Sequence, residues 1–528
     1  MPRSVPAGNL TRERLSHLRG GAPDGRPPRL TAAHRSRTFR AMDARQTIAR
    51  RMVIGLPEGG LAPGWERDFT AFPPAGVIVF RRDFRDLEGL RRLTARLREL
   101  VRPHRLFIAM DEEGGFVSQL RGHLVVPPDA ALLARGAQPG DIEWAARWTG
   151  QRLRALGMDW DFAPVADVNA LPANPVIGPR AFGTDAGDAA RGVAEAVRGF
   201  QAARVACCLK HFPGHGSTAL DSHLALPVCD ADRATIERRD LEPFRAGLGA
   251  PAVMTAHVLY PALDAERPAT FSRMIVRGLL RGTLGFRGVC ITDALEMKGA
   301  ADGRTPLEAA TLALEAGCDL LMVARDDGSV PALQAGLAEA YAGGRLNRVD
   351  FDASGARLEA FERAYPEPTG KELARPLEAL TPPDWVERLE RIAGRGLAIR
   401  GALPPESVAR PWRVEAPDCL EGPGFRDCLG NAGLPLPLLL GEATAAPGIE
   451  LVAVASRVPL ADFELERLRG LCRARPTVLV GLQNDAFLDA LPEAAVRISA
   501  ADATPLTRRV VARAVADLWR AAGGTPDS

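Results

Sequence analysis

The sequence predicts an α/β protein with a (β/α)8, TIM-like barrel and a smaller C-terminal α/β sandwich-like domain. Short apolar runs alternate with longer amphipathic stretches at intervals of roughly 30–50 residues, and nearly every apolar run ends in polar residues. The 528 residues also exceed one ordinary domain of roughly 100–200 residues. A doubly wound open sheet is the alternative, but such a sheet gathers its polar residues at one switch point.

Eight apolar runs supply the predicted barrel strands. The segments between them have the apolar spacing of helices, as in residues 90–101, 141–156 and 186–203. We therefore expect repeated βα units over residues 42–366. The eight runs are Met52–Gly55, 75–80, 106–110, 160–165, 205–209, 252–254, 288–291 and Leu320–Val323.

The regions on either side of the barrel have different compositions. Residues 1–41 hold nine Arg against Glu13 and Asp24, and they predict a disordered Arg-rich tail, with Met42 as a possible start. A Pro-rich linker with a helix is expected over residues 367–400. Residues 401–528 carry two strand-like runs and a final helix, and they predict a small α/β domain with a structural role or a partner surface.

Composition excludes several classes of function. The net charge of +2 arises in the Arg-rich tail, so the mildly acidic remainder does not indicate a nucleic-acid-binding protein. No apolar run reaches 18 residues, so no membrane span is expected. The eight Cys form no C-x-x-C pair and the tail has no apolar signal core, which indicates free thiols and a cytoplasmic protein. The chain has only three lysines, Lys210, Lys298 and Lys371, which makes each a candidate for a specific role.

Three of the eight histidines, His211, His215 and His223, lie within thirteen residues. Zinc binding is one interpretation, but Pro213 lies between the first two and prevents the helix that would place them on one face. The second interpretation is a loop in which Asp221 orients His223 as a general acid/base. We expect no metal and no cofactor.

Two aspartates follow apolar runs and are expected at the ends of barrel strands. Asp293 ends the run G-V-C-I-T, and an Asp there can act as a covalent nucleophile toward a sugar or cap the following helix. Asp111 has the same placement, with Gly114 and Gly115 behind it. These glycines lack the Lys or Ser/Thr of a phosphate-binding loop.

The motifs K-H-F-P-G-H-G at 210–216 and D-S-H at 221–223 resemble the β-N-acetylglucosaminidase branch of glycoside hydrolase family 3. Further pieces of similar sequence follow in the same order, and together they cover about residues 45–365. The chain departs from the family pattern at Phe116, where an Arg is usual, and at Ala294, where many relatives have Asp. The further pieces are 111–115, 162–169, 176–183, 253–258, 268–272, 292–297 and 316–319.

The resemblance implies a role for each matching residue. Asp293 would be the nucleophile, and His223 paired with Asp221 would be the general acid/base. The side chains that bind hydroxyls of the terminal sugar would be Asp111, Arg180, Lys210 and His211, with His257 and Asp167 as further contacts.

The implied reaction is retaining hydrolysis of terminal β-linked N-acetylglucosamine from small carbohydrates, including cell-wall muropeptides in peptidoglycan recycling. A phosphorylase that uses the same Asp221–His223 pair is one alternative, because an imidazole repels phosphate less than a carboxylate does. A sugar-binding barrel without activity is another. The sequence does not predict an oligomeric state.

Overall fold

The structure is a computed structural model that describes residues 44–172, 174–222, 224–405, 412–416, 425–432, 434, 449–456 and 459–524. The predicted disordered tail at 1–41, the possible start at Met42, His223 and Cys419 lie outside these residues.

Eight parallel strands close into a barrel, as the sequence predicts, and the open-sheet alternative is wrong. Closure is shown by the first and last strands, which pair in parallel with Met52 opposite Leu321. A short hairpin, β4 and β5, follows the third barrel strand. The strands are β1 Met52–Gly55, β2 Gly76–Ile78, β3 Phe107–Met110, β4 Glu112–Gly114, β5 Val117–Ser118, β6 Trp160–Asp161, β7 Ala206–Phe212, β8 Ala252–Thr255, β9 Val289–Ala294 and β10 Leu320–Val323, and the barrel order is β1-β10-β9-β8-β7-β6-β3-β2.

Helices connect the strands and surround the barrel. Some of these helices begin at a capping side chain: before residues 186–202, the Asp185 carboxylate accepts the N–H groups of Gly187 and Asp188. The α-helices are α1 Ala44–Ala49, α2 Pro63–Ala71, α3 Leu87–Val101, α4 Ala130–Gly136, α5 Asp141–Ala155, α6 Ala186–Ala202, α7 Arg233–Thr235, α8 Glu242–Ala246, α9 Lys298–Ala301, α10 Pro306–Ala316, α11 Val330–Ala342, α12 Arg348–Ala364, α13 Gly370–Leu373, α14 Pro383–Gly396, α15 Phe425–Asn431, α16 Asp462–Ala474 and α17 Pro505–Ala521.

Aromatic side chains fill part of the barrel interior. The Phe361 ring of α12 lies 4.6 Å from the Phe107 ring and 4.9 Å from the Trp160 ring, measured between centroids. Both strand residues are almost fully buried. Burial of such rings contributes roughly 1.5–3 kcal/mol each, so this packed interior holds the strand ends in place.

The C-terminal sheet has five strands, with helices on both faces. Leu451 packs into the cluster on one face that includes Trp519, and Val452 packs with Leu468 on the other. The sequence predicts β13 and β14 but not β11, β12 or β15. The strands are β11 Ala398–Gly401, β12 Trp412–Glu415, β13 Ile449–Val454, β14 Thr477–Gly481 and β15 Val496–Ser499, in the order β11-β15-β14-β13-β12, with β11 antiparallel to β15.

The predicted linker helix is α14, and it packs between the barrel and the C-terminal sheet. Its Trp385 and Leu389 share an apolar cluster with Leu132 of the barrel side and with Leu506 and Val510 of α17. The strand β11 then begins within the predicted linker at 367–400. The domain boundaries at 366 and 400 stay predictions.

Two further expectations concern the described residues. No helix in the described ranges is long and apolar enough to cross a membrane. The seven described cysteines are buried free thiols, and they lie at positions 207, 208, 229, 290, 318, 428 and 472.

Candidate active site

The polar residues singled out by the sequence lie at the C-terminal ends of three barrel strands. Asp111 follows β3 directly. Lys210 and His211 are among the last three residues of β7, and Asp293 is the second-last residue of β9. Strand β7 extends to Phe212 and so includes both basic residues, which the sequence places just after the strand. This end of a (β/α)8 barrel is where catalytic side chains are found.

Lys210 forms the centre of a buried charged cluster. Its ammonium lies 2.7 Å from Asp111 and 2.6 Å from Glu113, and only 3% of its side chain is exposed. Arg180 binds Glu113 through two parallel hydrogen bonds of 2.8 Å. The two carboxylates and the two cations therefore hold one another in fixed positions. The sequence motif contains Glu113, but sequence reasoning assigned it no role.

Glu113, Lys210 and Arg180 are ionised at neutral pH. Burial opposes the charge on Glu113, but Arg180 and Lys210 outweigh it and lower its pKa to about 2. Burial also opposes the charge on Lys210, but Asp111 and Glu113 raise its pKa above the ordinary value. A neutral substrate entering here meets fixed charges that can accept and donate hydrogen bonds.

The neighbouring Glu112 has a structural role. Its carboxylate accepts hydrogen bonds from Ser118 Oγ at 2.7 Å and from the N–H groups of Gln119 and Leu120 at 2.9 and 3.2 Å. These bonds close the β4–β5 hairpin behind Glu113. Adjacent acids in one motif therefore have different roles. Asp111 and Glu113 bind Lys210, and Glu112 fixes the backbone of the hairpin.

Asp167 lies beneath His211 and orients it. The Asp167 carboxylate accepts a 2.8 Å hydrogen bond from His211 Nδ1 and bonds from the backbone N–H groups of His211 and His215. Asp167 is fully buried. His211 Nε2 has no partner among the described residues and is left to bind a ligand. The structure thus places Asp167 at the Nδ1 side of the His211 ring, whereas Nε2 is the nitrogen left for a ligand.

His215 is held inside the loop that follows β7. Its Nδ1 lies 2.8 Å from Thr218 Oγ1 and its Nε2 lies 3.1 Å from Ser222 Oγ. Burial and the neighbouring His211 together lower the pKa of His215 to about 4, so the ring is neutral near pH 7. Because both nitrogens are occupied, His211 and His215 do not form a zinc site in this arrangement. No group of three or more His, Cys, Asp or Glu in the described ranges could hold a metal ion.

Asp293 is a partly exposed carboxylate among cationic and hydrogen-bonding groups. Its Oδ1 accepts a 2.8 Å hydrogen bond from the Ala294 N–H. Burial acts to raise the pKa of Asp293, but His211, His257, the Ala294 N–H and Lys210 outweigh it, and the pKa lies below its ordinary value. Asp293 therefore shares one site with Lys210 and His211 and is ionised at neutral pH.

His257 supports the backbone at Asp293. Its Nε2 donates a 3.0 Å hydrogen bond to the Ala294 carbonyl, and its Nδ1 lies 2.8 Å from Thr270 Oγ1. The ring is almost fully buried. Both nitrogens are occupied, so His257 fixes the residue after Asp293, whereas the sequence suggests a substrate contact.

Asn174 connects two loops of the site and was missed by sequence reasoning. Its Nδ2 donates to the carbonyls of His215 and Thr218 at 2.9 Å, and its Oδ1 accepts the N–H groups of Val176 and Ile177. Arg180 lies on the Asn174 loop, so the amide fixes Arg180 relative to the loop that carries His215. A lone Asn in an irregular loop offers no periodic signal.

The C-terminal sheet also reaches the site. Gln483, which follows β14, lines a crevice together with Phe116, Arg180 and residues 174–179. Gln483 is buried, with 7% of the residue exposed. The C-terminal domain, expected to be a structural or partner-binding unit, thus borders the charged cluster.

The structure describes one member of the predicted acid/base pair. Asp221 lies in the loop after β7, where its carbonyl accepts the N–H groups of Leu224 and Ala225. His223 lies outside the described residues. The pairing of Asp221 with His223 therefore stays a prediction.

Fold and site together define a (β/α)8-barrel protein with a buried charged site at the C-terminal ends of its strands. The family model described as glycosyl hydrolase family 3 N terminal domain matches residues 72–360, more than half of the chain. The chain belongs to this family.

Named relatives agree with this assignment. A β-hexosaminidase from Chromobacterium violaceum is 39% identical over 326 residues, which cover 58% of this chain and 90% of that protein. A family 3 β-N-acetylglucosaminidase structure from Paenibacillus sp. has a TM-score of 0.80 at 28% identity and covers 90% of this chain and 96% of that one. A β-N-acetylhexosaminidase from Beutenbergia cavernae has a TM-score of 0.56 at 30% identity and covers 61% of this chain and 98% of that one.

Proposed function

We propose that this protein is a retaining exo-β-N-acetylglucosaminidase that releases terminal β-linked N-acetylglucosamine through a covalent glycosyl-enzyme. The family and the names of its relatives support a β-N-acetylhexosaminidase. The observation that carries the proposal is the ionised Asp293 carboxylate at the end of β9, beside Lys210 and His211.

Asp293 has the properties that a glycosyl nucleophile needs. Its lowered pKa keeps it ionised, so one oxygen is available for attack while Ala294 N–H holds the other. His257 fixes the Ala294 carbonyl and so limits movement of the nucleophile. An ionised carboxylate below the sugar ring also stabilises the positive charge that develops as the glycosidic bond breaks.

The charged cluster is suited to bind the hydroxyls of one terminal sugar. Asp111 and Glu113 offer acceptors, Lys210 and Arg180 offer donors, and His211 Nε2 has no hydrogen-bond partner among the described residues. Because these groups already hold one another, binding a sugar costs little reorganisation. A cluster of this kind favours a single terminal residue over a long chain.

The acid/base step falls to Asp221 and His223 in this proposal. The imidazole would protonate the departing oxygen and then deprotonate the water that releases the sugar. Asp221 would orient the ring and raise its basicity. Asp221 lies on the loop after β7 and His223 follows it by two residues in the sequence, so we expect the proton donor to depend on loop position.

We further propose that muropeptide fragments are the natural substrates and that the protein serves peptidoglycan recycling in the cytoplasm. The buried free thiols support a reducing compartment. The low aromatic content, 5%, supports a small pocket over a long stacking cleft. No cofactor, nucleic-acid partner or metal enters this mechanism.

Steady-state kinetics on aryl β-N-acetylglucosaminides test the proposal. Asp293→Ala is expected to lower kcat by on the order of a thousandfold or more, since a covalent step has lost its nucleophile. Asp302→Asn is the matched control, because Asp302 lies on an exposed loop shortly after Asp293 and should leave kcat unchanged. Substantial hydrolysis by Asp293→Ala would overturn the nucleophile assignment.

Two further arms distinguish the acid/base pair and the alternatives. His223→Ala should retain most activity on a substrate with a good leaving group and lose it on one with a poor leaving group. An equal loss on both substrates would contradict the acid/base role. Turnover that requires phosphate and yields sugar 1-phosphate would indicate a phosphorylase, and sugar binding without any turnover would indicate a binding barrel.

A further inference from the structure

Two buried aspartates meet where the barrel contacts the C-terminal sheet. Asp129 lies just before α4 and Asp502 lies just after β15, and their exposed fractions are 1% and 0%. The Asp129 N–H donates a 3.2 Å hydrogen bond to Asp502 Oδ1, which brings the two buried carboxyl groups close together. Neither aspartate contacts the residues of the proposed mechanism directly.

Their hydrogen bonds show where a proton belongs. Asp502 is the better-satisfied carboxylate: Oδ1 accepts Asp129 N–H, and Oδ2 accepts Thr504 N–H at 3.1 Å and Thr504 Oγ1–H at 2.6 Å. Asp129 Oδ1 accepts Phe116 N–H at 3.1 Å, but its buried Oδ2 accepts none among the described residues. Ionising two adjacent buried carboxyl groups together costs free energy, because their charges repel each other. A proton on Asp129 Oδ2 is therefore the more stable arrangement.

The surrounding charges favour the same arrangement. Burial and the neighbouring Asp502 raise the pKa of Asp129 well above its ordinary value, and Glu113 on β4 raises it further. The guanidinium of Arg508, on α17, is attracted by the Asp502 carboxyl group and repelled by the guanidinium of Arg121. The charges around Asp129 therefore favour its protonated form.

The Asp129 carboxyl positions the segment that carries Glu113. It accepts the Phe116 N–H, and a Cβ on Gly115 would collide with it, so this segment passes against the carboxyl only with Gly at 115. Gly115 also has a φ of +53°, in the left-handed region. Glu113, two residues earlier, binds Lys210 and Arg180. A shift at Asp129 is therefore transmitted to the charged cluster within three residues.

We propose that Asp129 and Asp502 share one proton, and that this pair fastens the C-terminal sheet to residues 113–116 and so positions the charged cluster for sugar binding. Asp129 and Asp502 are positioning residues in this proposal. The inference rests on the proposed function, because sugar binding is what the segment is positioned for. Loss of the shared proton at alkaline pH leaves two adjacent buried charges and weakens the attachment.

Two amide variants separate this role from a general structural one. In Asp129→Asn the amide oxygen can accept Phe116 N–H and the NH2 takes the place of the protonated Oδ2, so the variant mimics the protonated state at every pH. In Asp502→Asn the amide nitrogen must face either the Thr504 donors or Asp129 N–H, so at least one hydrogen bond is lost. The two substitutions are chemically alike, but the shared proton makes their effects differ.

The experiment measures KM for an aryl β-N-acetylglucosaminide and the thermal midpoint between pH 6 and 10. In the wild type, KM should rise and the midpoint should fall as the pH increases, because the folded state holds a proton that the unfolded state has lost. Asp129→Asn should keep the neutral-pH KM and abolish both changes, whereas Asp502→Asn should raise KM about tenfold at neutral pH, as expected for losing one hydrogen bond to a charged group. Asp141→Asn, a buried aspartate paired with Arg388 and Arg395, is the control and should keep the wild-type pH dependence.

The outcomes distinguish failure of the shared-proton inference from failure of the proposed function. An inactive wild type would overturn the proposed function, and the thermal midpoints would still test the shared proton. Unchanged alkaline effects in an active Asp129→Asn enzyme would overturn the inference. So would equal damage from Asp129→Asn and Asp502→Asn. If Asp502→Asn does not fold, Asp129→Asn alone decides.

Discussion

Replacing Lys210 by Met removes the cation at the centre of the charged cluster and keeps an apolar stem of similar length. The substitution leaves Asp111 and Glu113 facing each other with Arg180 as the remaining cation. Removal of one partner from a buried ion pair costs about 3–5 kcal/mol, and we expect about 3 kcal/mol because Arg180 still binds Glu113. Lys298→Met is the matched control, since Lys298 is exposed and should change the free energy of unfolding by less than about 0.5 kcal/mol.

The pH dependence of stability tests the same cluster, because Arg180 and Lys210 together lower the pKa of Glu113. Glu113 has a pKa of about 2 in the folded protein against an ordinary value of 4.5, a difference worth about 3 kcal/mol. Because the folded pKa is depressed, this stability is complete above pH 4.5 and is lost as pH falls toward 2. Lys210→Met should raise the pKa of Glu113, so the difference between variant and wild type should shrink at acidic pH.

Denaturant unfolding followed by tryptophan fluorescence at pH 7 and pH 4, with kcat and KM for an aryl β-N-acetylglucosaminide, measures both effects. We expect a fall in kcat/KM of about a hundredfold for Lys210→Met, the equivalent of about 3 kcal/mol of lost binding and positioning. Equal stability and activity of Lys210→Met and Lys298→Met would refute the reasoning.

Three further predictions concern the histidines of the site. Asp167→Asn should lower both the thermal midpoint and kcat/KM, because His211 Nδ1 and two N–H groups then share one amide oxygen in place of two carboxyl oxygens; unchanged values for both would contradict the role of Asp167. His215 should stay neutral in 15N NMR spectra down to about pH 5, since its pKa is about 4, and a titration between pH 6 and 7 would disprove this. His257→Leu should move the acid limb of the kcat/KM profile to higher pH, because His257 helps to lower the pKa of Asp293; an unmoved limb would contradict that effect.

The barrel could be predicted because its signals are local and repeated. Each strand is a short buried run, and each run stands between amphipathic helices, so eight repeats indicate one topology. Polar residues after the runs placed Asp111, Lys210 and Asp293 at one end of the barrel. Once the barrel is predicted, the fold itself places the carboxyl ends of all its parallel strands at one face.

The C-terminal sheet was harder to predict because its edge strands carry weak patterns. β11 is mostly exposed, with the sequence A-I-R-G, and it was included in the linker. It becomes a strand because it pairs antiparallel with β15, a contact that spans about a hundred residues of chain. Sequence periodicity carries no information about such a distant partner.

Side-chain roles within a motif were also beyond the sequence. The motif D-E-E-G-G shows three acids, but only the structure shows that Glu112 closes a hairpin while Glu113 binds Lys210. Asp129 and Asp502 lie in unrelated segments and carry no motif, and their contact requires both domains to be folded. Long-range pairs of this kind are found by geometry.

The central claim is that Asp293 forms a covalent bond to the sugar. A slow 5-fluoro-β-N-acetylglucosaminyl fluoride should trap that intermediate, because the fluorine slows both steps while the fluoride leaving group favours the first. Digestion and mass spectrometry should then locate one sugar per chain on the peptide that contains Asp293. A label on another residue, or full hydrolytic activity of the Asp293→Ala variant, would contradict the assignment of Asp293 as the nucleophile.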